Sequence, residues 1–126
     1  MALFLFNTLS QDISEFVPLK KNKVRMYTCG PTVYDFVHIG NLRTFVFQDI
    51  LRRYLIYKGF ELTHVMNITD VEDKIIAAAA DQEMGIQSYT EKYTNAFLAD
   101  METLRIEQPD AMPHATDHIP DMVELI

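Results

Sequence analysis

Val24-Arg25-Met26-Tyr27-Thr28-Cys29-Gly30-Pro31 reads as a β-strand that stops in a turn. Apolar and β-prone residues fill 24–29, and Gly30-Pro31 breaks the run. Beyond it, a helical pattern begins at Leu42. Val46, Phe47, Ile50, Leu51, Tyr54 and Leu55 recur at three- and four-residue spacings. Gly59 follows Lys58 where a C-terminal helix cap belongs. Leu62 to Asn67 then reads as a second strand. Strand, helix, glycine and strand make a β-α-β unit, with parallel strands and a right-handed crossover. In such sheets ligands bind beyond the carboxyl ends of the strands. Those ends are Cys29-Gly30 and Asn67-Ile68-Thr69-Asp70, and both carry motif-like residues.

The rest of the chain predicts helices. Asp70 to Gln82 is alanine-rich and helix-forming. Ser88-x-x-Glu91 has the form of a capping box. After it, Tyr89, Tyr93, Phe97, Met101 and Leu104 make one apolar stripe, read here as core packing. Gln108 to Pro113 breaks the pattern. A last helix is expected from near Thr116, with Ile119, Met122, Val123 and Ile126 on one face. The chain ends in mid-period on an apolar residue, which predicts that it is truncated.

Composition narrows the function classes. The chain has 126 residues, 48% of them hydrophobic and 23% charged, ordinary for a globular domain with its own core. No apolar run approaches the roughly 20 residues of a membrane span. No basic lead-in marks a signal peptide, so the expected location is the cytoplasm. A single cysteine, Cys29, excludes an internal disulfide. Charge is uneven: residues 1–69 balance at +3 and residues 70–126 at −10. An acidic second half is a poor surface for phosphate backbones. The one basic cluster, Lys20, Lys21, Lys23 and Arg25, reads as a solvated loop before a strand.

Chemistry concentrates between Cys29 and Asn41. Gly30 lets the backbone turn tightly after the strand. Gly40 leaves the start of the next helix open to a ligand. A helix N-terminus offers free N–H groups and partial positive charge, which suits a polyphosphate. His38 can give a proton-bearing donor to phosphates as charge develops. Asn41 can cap the helix or offer its amide to a ligand.

Val24 to Asn41, together with Asn67-Ile-Thr-Asp-Val-Glu-Asp-Lys-Ile-Ile76, closely resembles the cysteinyl-tRNA synthetases. His38-Ile-Gly-Asn41 is similar to the class I synthetase signature, His-Ile-Gly-His in its standard form. Leu5-Phe-Asn-Thr-Leu9 and Ala115-Thr-x-His118-Ile119 also match the family's wording, so the resemblance runs through essentially the whole chain. It implies an α/β fold, the first half of a Rossmann-type class I catalytic domain over residues 1–113. The start of a following helical or connective segment would occupy 114–126. It implies an enzyme that adenylates L-cysteine with ATP and Mg²⁺ and moves it to the 3′ end of tRNA(Cys), mainly contacted by later parts of the chain, in an enzyme expected to be monomeric. One Zn²⁺ ion would bind the substrate thiolate. By the resemblance, Cys29 is the first zinc ligand, and His38, Gly40 and Asn41 are the ATP-handling residues, His38 and Asn41 being catalytic. Gly30, Thr32 and Thr69 would line the amino-acid pocket. Zn²⁺ prefers sulfur to a hydroxyl, so a metal–thiolate bond can reject serine.

Two departures qualify the match. Glu72 stands where the family commonly has aspartate, a change that keeps the charge; the cluster around it reads equally as a charged helix N-terminus. The family's other zinc ligands, and its Lys-Met-Ser-Lys-Ser-type loop, come from a later part of the chain. Cys29 alone cannot close a tetrahedral site. His64 reads as packed or exposed in a strand. His114 and His118 would be i,i+4 neighbours on a helix but lack a third ligand. Two alternatives stay open. One is the related ligase that joins cysteine to glucosaminyl-inositol in mycothiol synthesis. The other is a non-catalytic nucleotide-binding module.

Overall fold

The expected unit forms: β3 (Lys23–Thr28), α1 (Ile39–Tyr57) and β4 (Glu61–Met66) follow one another, and the two strands pair in parallel from Lys23–Glu61 to Thr28–Met66. The computed structural model describes residues 2–126. Before the unit lies an antiparallel hairpin, β1 (Phe4–Asn7) and β2 (Asp12–Glu15). After it come α2 (Asp73–Asp81), α3 (Ile86–Thr103), a short 3-10 helix (Ala115–His118) and α4 (Ile119–Leu125). The fold is α/β, a parallel β-α-β unit followed by helices.

Helix α1 ends as Gly59 predicts. Gly59 has φ +87°, in the left-handed region. Its N–H donates to the Ile56 carbonyl at 2.9 Å, and the Phe60 N–H donates to Leu55 at 3.2 Å. That pair of bonds is a Schellman motif, satisfying carbonyls the helix end would otherwise orphan.

Strand alternation sorts residues between two faces. His64, Met66 and Ile68 point into the core and are 1–2% exposed. Helices α1 and α3 cover that face. Phe45 of α1 meets Phe97 of α3 with ring centroids 4.8 Å apart, in a cluster with Met66, Met101 and Ile106. A second cluster joins Val33, Ile68, Ile75, Ala79, Tyr89 and Tyr93. The stripe on α3 is therefore core, as expected, except Leu104, which is 45% exposed. Each large buried side chain contributes roughly 1.5–3 kcal/mol. Val65, Asn67 and Thr69 alternate to the opposite face and remain partly open.

Several boundaries differ from expectation. Helix α1 starts at Ile39, not Leu42, because His38 and Asn41 build its cap. Helix α2 starts at Asp73, not Asp70, whose carboxylate bonds instead to Thr116 and His114. Ser88 and Glu91 do not start α3. It begins at Ile86, whose side chain packs on the core, with Gly85 at the N-cap. Residues 108–113 do more than interrupt helices. The Met66 N–H donates to Ala111 at 3.1 Å, Ile68 to Pro113 at 2.9 Å, and Ala115 returns a bond to Ile68 at 3.0 Å. The segment thus runs parallel beside β4 as a third, irregular strand, with bridges at Val65–Ala111 and Ile68–His114. His114 and His118 share no helix face: each faces a carboxylate, Asp70 at 3.0 Å and Asp121 at 2.8 Å.

Candidate active site

The carboxyl ends of β3 and β4 are drawn together by a close backbone approach. A Cβ on Gly30 would lie 1.8 Å from the Asn67 carbonyl oxygen and 2.8 Å from Met66 Cγ. Only glycine fits there. One turn on, the loop pairs again: Val33 N–H donates to Thr69 O at 3.1 Å and Thr69 N–H to Pro31 O at 3.0 Å. Thr32 and Thr69 thus sit side by side as a parallel bridge.

The loop from Gly30 then crosses to the start of α1 and is held from behind by α3. The Tyr89 hydroxyl donates to the Tyr34 carbonyl at 2.7 Å. Phe36 stacks edge-on to Tyr93 with centroids 5.1 Å apart. The Lys92 ammonium lies over both rings, and Lys74 lies 5.1 Å from the Tyr34 ring centroid. The α3 stripe, read from sequence as packing alone, also positions this loop.

His38 is the N-cap of α1, with extended backbone. Its Nδ1 accepts from the Gly40 N–H at 3.0 Å, and Asn41 Oδ1 accepts from the His38 N–H at 3.2 Å. An accepting Nδ1 carries no proton, so the neutral ring is the Nε2–H tautomer, with its donor turned outward. The Asn41 N–H donates to the His38 carbonyl at 2.9 Å, and the helix start carries a partial positive charge. Between these elements lies a cleft of about 260 Å³ walled in part by Gly30, Thr32, Tyr34, His38 and Asn41.

Four of the expected residues, Gly30, Thr32, His38 and Asn41, therefore share one cleft. Gly40 adjoins it through its bond to His38, and Thr69 through its pairing with the loop. Cys29 is exposed and free. Its carbonyl accepts from Gln48 Nε2 at 3.3 Å, which anchors the main chain and leaves the thiol open. Among the described residues no three His, Cys, Asp or Glu side chains gather to hold a metal ion. Cys29 fits one donor position of a zinc site and supplies no more than one. His64 is no candidate: it is 2% exposed, with Nε2 bonded to Thr28 Oγ1 at 2.8 Å, and burial lowers its pKa.

Larger hollows lie elsewhere. One, of about 470 Å³, sits by Phe16 to Lys20 at the amino ends of the strands, the wrong end for a ligand in a parallel sheet. Another, of about 700 Å³, lies between α3 and the Asp70–His114–Thr116 group. Asp70 is 5% exposed there, and both carboxylate oxygens are taken by protein donors. Burial pushes its pKa up, but bonds from the Thr116 hydroxyl and N–H and from His114 outweigh it and hold the carboxyl below its usual range. Asn67, which bonds the end of β4 to Gly30, and Gln48, which ties α1 to the Cys29 carbonyl, carry no signal of these bonds in the sequence pattern. Asn67 stands inside the recognised motif, and only its neighbours in space reveal what it does.

Comparison with known proteins gives concordant matches. A family model described as tRNA synthetases class I (C) catalytic domain matches residues 15–126. The chain is 59% identical over all 126 residues to a cysteine--tRNA ligase of Solibacter usitatus, of which it covers 27%. It is 58% identical to that of Koribacter versatilis and 53% identical to that of Chlamydia muridarum, again over all 126 residues and covering 26% of each. The chain thus spans about a quarter of the length of these curated relatives.

Proposed function

The chain belongs to the class I (C) tRNA synthetase catalytic-domain family, and from that premise we propose that it forms the ATP-handling part of a cysteine--tRNA ligase, together with one wall of its amino-acid pocket. The observation that carries this reading is the cleft itself. The start of α1 with its outward His38 Nε2–H faces a cleft that Gly30 and Thr32 also line; Thr69 is bridged to Thr32, and the exposed Cys29 precedes Gly30 in the chain.

The proposed reaction has two steps. The carboxylate of L-cysteine attacks the α-phosphorus of Mg²⁺-ATP and pyrophosphate leaves. The acyl group then passes to the 3′ end of tRNA(Cys) and AMP leaves. Little covalent chemistry falls to the protein in the first step; it positions the two substrates and stabilises charge. His38 Nε2–H and the partial positive charge at the start of α1 would meet the phosphates as charge builds on them. Asn41, which uses only Oδ1 in the cap, keeps its amide donors for the nucleotide. Gly40 keeps the backbone open to the nucleotide. Gly30, Thr32 and Thr69 would shape the amino-acid pocket. A Zn²⁺ ion, with Cys29 as one ligand and the others from outside these residues, would supply selection of thiol over hydroxyl when bound.

The remaining assignments follow the same reading. Residues 1–113 would be the first half of the catalytic domain and 114–126 the start of the next segment. The enzyme would be a cytoplasmic monomer with most tRNA contacts in other parts of the polypeptide. Among the described residues no helix is long and apolar enough to cross a membrane.

Cysteine-dependent ATP–pyrophosphate exchange tests the proposal. A full-length ligase carrying these 126 residues is expected to exchange. The 126 residues alone are expected not to. Exchange that is absent from the full-length protein, or indifferent to cysteine, would refute the reading.

A further inference from the structure

A hydrogen-bond relay ties the two strand ends together on the open face of the sheet. Asn67 stands at its centre. Its Oδ1 accepts from the Tyr27 hydroxyl at 2.9 Å and from the Gly30 N–H at 3.3 Å. Its Nδ2 donates to Thr69 Oγ1 at 3.1 Å. A backbone N–H can only donate, so the amide atom facing Gly30 must be the oxygen. This fixes the nitrogen toward Thr69. Thr69 Oγ1 is then an acceptor within the protein, and its own hydrogen is left to donate elsewhere.

An amino acid offers such a hydroxyl two contrasting groups. Its ammonium has only donors, and its carboxylate has only acceptors. A hydroxyl whose oxygen already takes one donor keeps its own hydrogen, and that hydrogen can be met only by an acceptor such as the carboxylate. The match persists through adenylation, because the acyl carbonyl of the product is still an acceptor. We propose that Asn67 is a positioning residue for the amino-acid pocket, presetting the Thr69 hydroxyl as a donor to the substrate carboxylate. The relay thereby sets which end of the amino acid faces β4. This inference rests on the function proposed above.

The test is a double-mutant cycle in a full-length ligase carrying these residues, read by exchange kinetics. Asn67→Asp keeps the shape and both accepting bonds, but turns an oxygen toward Thr69. The hydroxyl then donates to that oxygen and is lost to the substrate. A hydrogen bond to a charged group is worth about 1.5–3 kcal/mol, so KM for cysteine should rise by about tenfold or more while KM for ATP stays within about twofold. Thr69→Val should give the same rise, and Thr69→Ser should stay near the parent value. The combined variant should be no worse than Thr69→Val alone, because Asn67 acts through Thr69. Additive losses, or an unchanged KM in Asn67→Asp, would overturn the inference and leave the functional reading standing. A parent enzyme without cysteine-dependent exchange would overturn the reading itself.

Discussion

The two ends of the loop from Cys29 to Asn41 are finished to different degrees. At the His38 end the parts are complete. The cap is reciprocal, the ring tautomer is set, and Tyr89 and Tyr93 of α3 with Lys74 and Lys92 brace the loop. At the Cys29 end only the main chain is held, by Gln48 and by the approach of Gly30 to Asn67. The thiol is exposed, with no metal-binding group around it among the described residues. A helix start gets its polar partners from residues two or three positions along the chain. A metal site gathers ligands that are distant in sequence. One kind of site can therefore be built within a short span, and the other cannot.

Substitutions along the loop should grade this contrast, and the largest effect is expected where the Cys29 end presses its backbone against the end of β4. Gly30→Ala places a methyl 1.8 Å from the Asn67 carbonyl oxygen, a backbone atom that cannot swing aside. Strands β3 and β4 would have to part at their carboxyl ends. We expect a loss of about 3 kcal/mol or more in urea denaturation. Gly85→Ala is the control, since nothing lies within 4 Å of its added Cβ and its φ of −67° suits any residue. It should cost under about 1 kcal/mol. Equal costs would mean that the close approach does not define the turn.

Next in size is Asp70, one residue beyond Thr69. Asp70→Asn should cost about 2 kcal/mol at neutral pH, because it weakens bonds to a charged acceptor. The pH dependence follows from the lowered pKa. The unfolded carboxyl titrates near 3.8 and the folded one below it. The contribution is thus fully present above about pH 4 and is lost as pH falls through the folded value. The gap between parent and variant stability should be flat above that point and close below it. A gap that persists at lower pH would assign the effect to shape rather than charge.

What the sequence disclosed follows the same divide between near and far. The β-α-β unit was legible because its apolar periods and Gly59 are local signals. The strand-like run over 111–114 was not. It is short, contains Pro113, and is held by three backbone bonds to residues 64–68 that leave no side-chain pattern. The hairpin of β1 and β2 was also missed, since its residues are almost all exposed and carry no alternation of burial. Ser88 and Glu91 had the right spacing for a cap, but burial of Ile86 moved the helix start ahead of them. In the candidate site, the family motif points to residues that the fold brings near one cleft, whereas the relay through Asn67 and the bracing by Tyr89 exist only in three dimensions.

His38 separates structure from chemistry in one residue. His38→Ala removes the cap on Gly40 and should cost about 1 kcal/mol of stability. Asparagine is a good N-cap but has no donor in the place of Nε2–H. His38→Asn should therefore recover most of that stability. In a full-length ligase carrying these residues, both variants should slow cysteine-dependent exchange more than they weaken cysteine binding. If His38→Asn restored the exchange rate as well as the stability, the histidine would be a cap and nothing else.

The smallest effect on stability should come from Cys29→Ser. The side chain is exposed, makes no hydrogen bond through its sulfur, and is nearly isosteric with its replacement. Its main chain, bonded to Gln48, is untouched. The denaturation free energy should stay within about 0.5 kcal/mol of the parent. In a full-length ligase carrying these residues the same variant should lose zinc and the preference for cysteine over serine together, because a hydroxyl is a poor replacement for a thiolate ligand. Metal content by atomic absorption and exchange with each amino acid would read the two losses separately. Zinc retained in full would remove Cys29 from the ligand set. Zinc lost with selectivity intact would keep the ligand and sever the link between metal and choice of substrate.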